Sequence, residues 1–264
     1  MTNYQQTSQS QSRAIHTSRY RQSSNARFTC ILASVIALAL LQFGCGGSGT
    51  HQPPVPTTQP TFSHVVLVVE ENHSYSDVIG NSSMPYLNSL ASQYGLATQY
   101  FANGHPSMPN YLMLATGQME SFDDNFSGTI SDDNVVRELV KGGKSWKAYG
   151  ESIPSAGYIG GDAVPYIRRH DPFSYLSDVQ QNTSQAANIV PFSQFASDLA
   201  NNSLPQFSFI APNINSDAHT GSLAAADSWL QSNIAPLLAS SLSRVPENGM
   251  HGLKGDAMAT DQLA

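Results

Sequence analysis

The chain has 264 residues and a formal net charge of −7. That charge is uneven: residues 1–44 carry four arginines (Arg13, Arg19, Arg21, Arg27) and no acid, leaving eight basic residues against all 19 acidic ones in the rest. A body this acidic, without clustered Lys and Arg, argues against nonspecific nucleic-acid binding. The two cysteines, Cys30 and Cys45, both precede the expected folded part and so exclude a disulfide framework, a Cys-based metal site or a cysteine nucleophile there.

The N-terminus reads as a targeting segment. A basic, Ser/Gln-rich lead precedes an apolar run from Ile31 to Leu41. That run is shorter than the roughly 20 apolar residues a membrane span needs, and it has the length of a signal-peptide core. Gly44-Cys45-Gly46-Gly47-Ser48-Gly49 follows and resembles a bacterial lipoprotein cleavage site, with Gln42 departing from the usual aliphatic residue. Residues 1–45 are thus expected to be a signal peptide with Cys45 as a lipid acceptor; plain secretion and an uncleaved anchor are the alternatives. The expected location is outside the cytoplasm, as a periplasmic or outer-membrane lipoprotein or a secreted protein. Membrane contact would run through the N-terminal lipid or signal anchor. Residues 46–61, with Pro53, Pro54, Pro56 and Pro60, read as a linker.

The folded body is expected over 62–240. Val65 to Val69 is continuously aliphatic, the pattern of a parallel strand buried on both faces. Leu87, Leu90, Ala91 and Tyr94 recur at helical spacing over Pro85 to Tyr94, stopped by Gly95. A second helix is expected from Tyr111 to Ala115. Asp132 and Asp133 are read as opening a third through Val140, closed by Gly142-Gly143. Lys144 to Tyr149 and Phe207 to Ala211 read as strands, and Pro191 to Asn201 and Leu223 to Leu238 as helices, the last containing Pro236. Strands alternating with helices predict an α/β fold, a mostly parallel sheet flanked by helices. Ligands in such sheets gather at the carboxyl ends of strands.

Three segments carry candidate chemistry. Glu70-Glu71-Asn72-His73 ends the first strand, and alternation lets only one glutamate face a given site. Carboxylate and carboxamide oxygens suit hard divalent cations, and Zn²⁺ also accepts a carboxylate. His105-Pro106-Ser107-Met108-Pro109-Asn110-Tyr111 holds a hydroxyl between two prolines, just ahead of a helix whose free N–H groups would suit a phosphate. A serine needs a base or a metal to become a good nucleophile. Asn110 can donate to a phosphoryl oxygen, and His105 can act as acid, base or phosphate contact. Asp217-Ala218-His219 places an acid and an imidazole two apart, as a ligand pair or an acid/base pair. His170 follows Arg168-Arg169, a pair that would suit phosphate or simply carry surface charge. Alone, each segment is equally an ordinary polar turn, helix cap or solvated loop.

Taken together, the motifs resemble a family. Glu71-Asn72-His73-Ser74-Tyr75, the segment from His105 to Gly117, Arg169-His170-Asp171-Pro172-Phe173, Ile210-Ala211-Pro212-Asn213, Asp217-Ala218-His219 and Ala226-Asp227-Ser228-Trp229-Leu230 are similar to the bacterial phosphoesterases of the phospholipase C and acid phosphatase type, within the alkaline phosphatase superfamily. The resemblance covers about Phe62 to Ser240. It implies an alkaline-phosphatase-like fold, a divalent metal of unstated identity, and a phosphate-ester substrate, phospholipids included. It further implies Ser107 as a nucleophile forming a phosphoryl-enzyme, Glu71, Asn72 and Asp217 at the metal, and His105, Asn110, His170 and His219 as active-site residues. Asp227 reads as structural.

The family pattern continues with a further buried strand ending in an acidic pair. Residues 241–264 show neither and read as a disordered tail. The sequence therefore predicts an incomplete sheet, an incomplete metal site and weak or absent activity, with a non-catalytic exported lipoprotein that keeps the fold for binding as the alternative function. A sulfatase reading fails because Tyr111 stands where the Cys/Ser-x-Pro-x-Arg pattern needs arginine.

Overall fold

A computed structural model describes residues 63–243. The expected signal peptide, the linker and residues 244–264 lie outside the described residues. Four parallel strands form one sheet: β1 (Val65–Val68), β2 (Trp146–Gly150), β3 (Ile189–Pro191) and β4 (Phe207–Ala211). Their spatial order is β1-β4-β2-β3, so the last of the four described strands inserts between the first two. The helices are α1 (Tyr75–Val78), α2 (Pro85–Gln93), α3 (Ser107–Thr116), α4 (Val135–Lys141), α5 (Ser177–Gln180), α6 (Thr183–Ala186), α7 (Ser193–Ala200) and α8 (Leu223–Ala239). Short 3₁₀ turns cover Arg168–His170, Pro172–Tyr175 and Ser241–Ser243. The expected α/β fold with a parallel sheet between helices is what the chain forms.

Strand alternation builds two cores, one on each face of the sheet. Leu67, Trp146, Ala148 and Phe209 pack with Met108, Tyr111 and Leu112 of α3, with Val136 of α4 and with Phe173. Val66, Val68, Tyr149, Val190 and Ile210 face the other way, onto Leu87 of α2, Phe195 of α7 and Trp229, Leu230 and Ile234 of α8.

Several boundaries differ from the sequence reading, each for a local reason. β1 packs on both faces as expected, with Leu67 in one core and Val66 and Val68 in the other, but it lies at the edge of the described sheet and Val65 at its start is 49% exposed. α3 starts on Ser107 itself rather than at Tyr111, because a proline two residues into a helix lacks only an N–H that needs no intrahelical partner. α4 is capped by Asn134, whose Oδ1 accepts the Arg137 N–H at 3.0 Å, and not by Asp132 or Asp133. β3 gave no sequence signal: three residues ending in proline are too short for a period.

Asp227, on α8, caps a different helix. Its carboxylate accepts the backbone N–H groups of Tyr86 (3.0 Å) and Leu87 (2.8 Å) in the first turn of α2. Those donors have no partner within α2, and the charge complements the helix dipole. Asp227→Ala is expected to cost about 1–2 kcal/mol, read as a lower urea midpoint with unchanged slope.

Candidate active site

The site lies beyond the carboxyl ends of β1 and β4. The two strands pair in register, Val68 with Ile210, so the segments leaving them stay adjacent. The Glu71 N–H donates to the Asp217 carbonyl at 2.8 Å, fastening the loops together. Alternation sends Glu71 to the α3 side of the sheet. Glu70 faces the other core, where burial, with Asp217 and Asp227 adding, pushes its carboxyl up to about 8.

Ser107 opens α3 beneath this edge. Its hydroxyl donates to Glu71 Oε2 at 2.7 Å. His170, from the 3₁₀ turn after Tyr166, sits between the two acids: Nε2 contacts Glu71 Oε1, and Nδ1 lies 3.0 Å from Asp217 Oδ2. Glu71, Ser107, His170 and Asp217 are all buried, none more than 3% exposed. Tyr111 lies one helical turn after Ser107 on the same face of α3. Its ring stacks on the His170 imidazole, with centroids 4.9 Å apart and planes 7° from parallel. His219 sits at the margin: its N–H donates to Asp217 Oδ1 at 2.8 Å, and its ring centroid is 5.8 Å from that of His170.

Burial disfavours the imidazolium, but the flanking Asp217 and Glu71 carboxylates outweigh it and push His170 up to about 9. Burial also opposes the Glu71 charge, yet His170, Ser107 and His219 hold that carboxyl below its usual range. Asp217 goes the other way, raised by burial and by repulsion from Glu71. One imidazolium thus lies between two carboxylates.

One ligand atom each from Glu71, His170 and Asp217 lies within 4.8 Å of the others, close enough to hold a metal ion. Glu71 Oε1, both His170 ring nitrogens and Asp217 Oδ2 are buried, and none makes a hydrogen bond of normal geometry. Buried polar atoms left without hydrogen bonds are costly, and a divalent cation would satisfy Glu71 Oε1, Asp217 Oδ2 and one of the two ring nitrogens. Two carboxylates with one imidazole suit Zn²⁺ or Mn²⁺.

This has a pH consequence. The folded pKa of His170 lies above its ordinary value of 6.5. Its contribution to stability in the metal-free protein is therefore complete below 6.5 and lost as pH rises through about 9. Metal binding has the opposite slope, because the imidazolium must lose its proton to become a ligand. Calorimetric titration with Zn²⁺ is expected to show tighter binding and less proton release at pH 9 than at pH 6.5.

The other expected site residues fall around this centre. Asn72 follows Glu71 in left-handed backbone (φ 64°), and its side chain is exposed. His105 is exposed on the loop before α3. Asn110 is buried, and its carboxamide is bonded to the loop: Oδ1 accepts the N–H of Asn103 (2.9 Å) and Gly104 (3.2 Å), while Nδ2 donates to the Gly104 carbonyl at 2.7 Å. The helix start read as a phosphate cradle already holds an anion, since Asp124 Oδ1 accepts the Met108 N–H at 3.1 Å and Asp124 Oδ2 lies 3.6 Å from Arg169 Nε. Arg168 turns away to bond Ser174 and lie 4.0 Å over the Tyr175 ring. Tyr111 was missed as a site residue, although its i+4 spacing from Ser107 was the available signal.

Residues 81–244 match the Phosphoesterase family. The chain belongs to that family. It is 38% identical over 180 residues to a phosphatidylinositol-3-phosphatase of Mycobacterium tuberculosis, covering 67% of this chain and 58% of that protein. It is 32% identical over 229 residues to a probable acid phosphatase of Kluyveromyces lactis, covering 82% and 54%. An acid phosphatase of Aspergillus fumigatus is 34% identical over 186 residues, covering 67% and 41%. The chain thus spans between 41% and 58% of the length of these relatives. The family match takes in α3 with Ser107, His170, Asp217 and His219, whereas Glu71 lies ahead of it.

Proposed function

We propose that this chain hydrolyses phosphate esters with Ser107 as nucleophile and a divalent metal held by Glu71, His170 and Asp217. The observation that carries the reading is the buried 2.7 Å hydrogen bond from the Ser107 hydroxyl to Glu71, a member of the ligand-competent cluster. When bound, the metal would supply positive charge to lower the hydroxyl pKa and offset charge developing on the phosphoryl group.

The chain's own residues supply the rest. The first turn of α3 fixes the Ser107 hydroxyl, and Glu71 orients it and accepts its proton. Phosphorus takes a bond from Ser107 Oγ as the ester oxygen leaves, giving phosphoserine. Water then cleaves the phosphoserine and frees phosphate. His219, half-buried at the margin, is placed to protonate the leaving alcohol and activate that water. Tyr111 keeps the His170 ring plane fixed.

The substrate class is a phosphate ester. The similarity to a phosphatidylinositol-3-phosphatase and to acid phosphatases supports phosphomonoesters, with phosphorylated lipid headgroups among them. Residues 1–45 support placement outside the cytoplasm, with Cys45 as the lipid anchor. Turnover of p-nitrophenyl phosphate, lost on chelation and restored by Zn²⁺ or Mn²⁺, is the expected result. Absence of turnover in the same assay would contradict the reading.

A further inference from the structure

Resting on that reading, we propose that Glu151 is a positioning residue that holds the Asp217 loop against His170. Glu151 makes no hydrogen bond or ion pair with Glu71, Ser107, His170 or Asp217. It follows directly on β2, where its N–H extends the ladder by donating to the Ala211 carbonyl at 2.9 Å. Its side chain ties two elements together. Oε2 accepts the Asn213 N–H at 2.8 Å, and Oε1 accepts the Trp229 indole N–H from α8 at 3.0 Å.

Asn213 passes that constraint on. Its carbonyl accepts the N–H groups of Ser216 (2.8 Å) and Asp217 (2.9 Å), and its Oδ1 accepts the Asn215 N–H at 2.9 Å. Its Nδ2 donates to Ser152 Oγ at 3.0 Å. The Glu151 carboxylate thus holds the Pro212–Asn213 peptide, and the carbonyl of the next peptide starts the turn that presents Asp217. Both oxygens of the Glu151 carboxylate are thus engaged, one on the loop and one on α8.

A local pattern marks the same residue. Among the described residues four non-glycine positions have positive φ, and three of them follow an acid: Asn72 (64°) after Glu71, Ser152 (62°) after Glu151, and Ala218 (72°) after Asp217. Left-handed backbone is costly for serine and alanine and persists where surrounding structure demands it. Asn72 and Ser152 follow soon after β1 and β2, whereas Ala218 lies in the turn that Asn213 opens beyond β4.

The test uses the full chain with Glu151→Gln and Trp229→Phe. The glutamine keeps one acceptor and turns an N–H toward a donor, while the phenylalanine removes only the α8 contact and leaves the Asn213 bond. For Glu151→Gln, kcat/KM is expected to fall about 10- to 100-fold, the usual cost of losing an orienting partner. The His170 imidazole nitrogen resonances of the metal-free protein should shift at fixed pH. Trp229→Phe should lower the melting temperature but leave kcat/KM and those resonances at wild-type values. Should Glu151→Gln not fold, Glu151→Asp, one methylene shorter, carries the same expectations. Unmoved His170 resonances in the Glu151 variant, or an equal shift in Trp229→Phe, would overturn the proposal. Wild-type protein without turnover would refute the proposed function, and the resonances would still decide the positioning role.

Discussion

Ser107→Ala is expected to lower kcat/KM for p-nitrophenyl phosphate by at least ~10³-fold, the scale on which loss of a covalent nucleophile is felt. The variant should keep its fold. Ser107 lies in the first turn of α3, where alanine is at least as good a helix former, and it contributes a small side chain to a buried position. What is lost is one hydrogen bond to Glu71. A buried hydrogen bond to a charged acceptor contributes about 1.5–3 kcal/mol, so the melting temperature should drop by only a few degrees. Metal affinity should change little, because the three ligand atoms come from other residues. A variant that keeps both metal and fold while losing turnover would separate the nucleophile from the ligand set. Ser107→Thr, which retains a hydroxyl, should recover part of the rate.

His170→Ala should have the largest effect on stability. The imidazole separates Glu71 from Asp217, and removing it leaves two buried carboxylates facing one another. Breaking a buried ion pair by deleting one partner costs about 3–5 kcal/mol. For a domain of this size that is roughly a 10 °C fall in melting temperature. The sign with pH is diagnostic. Buried, unpaired carboxylates take up protons more readily folded than unfolded, so the deficit should shrink as pH falls and grow toward neutrality. A loss of side-chain packing alone would show no such dependence. Tyr111, which loses its stacking partner, adds a pH-independent part.

The parts of this molecule that the sequence revealed are those governed by local pattern. The β-branched run of β1, the Phe207 to Ala211 strand and the long α8 announce themselves through composition and spacing. So does the position of Glu71, because a strand ending in acids points to the sheet edge where ligands gather. Contacts across long sequence separations were not legible. Nothing local says that His170 will lie between Glu71 and Asp217, or that Tyr111 will stack on it. Asp124 at the start of α3 was equally hidden. It takes the place foreseen for a phosphate, and only the fold brings residues 108 and 124 together. Glu151 reads in sequence as one more surface acid, and its role follows from β4 inserting beside β2 in the sheet. The edge position of β1 in the described sheet is likewise a matter of topology, which a run of valines does not encode.

The central claim is that Ser107 takes the phosphoryl group. It is tested most directly by mixing the metal-loaded chain with p-nitrophenyl phosphate, quenching in acid within the first turnover and mapping the peptides by mass spectrometry. The account predicts phosphate on Ser107, in an amount matching the burst of nitrophenol. Turnover with Ser107 unmodified, and undiminished in Ser107→Ala, would contradict it.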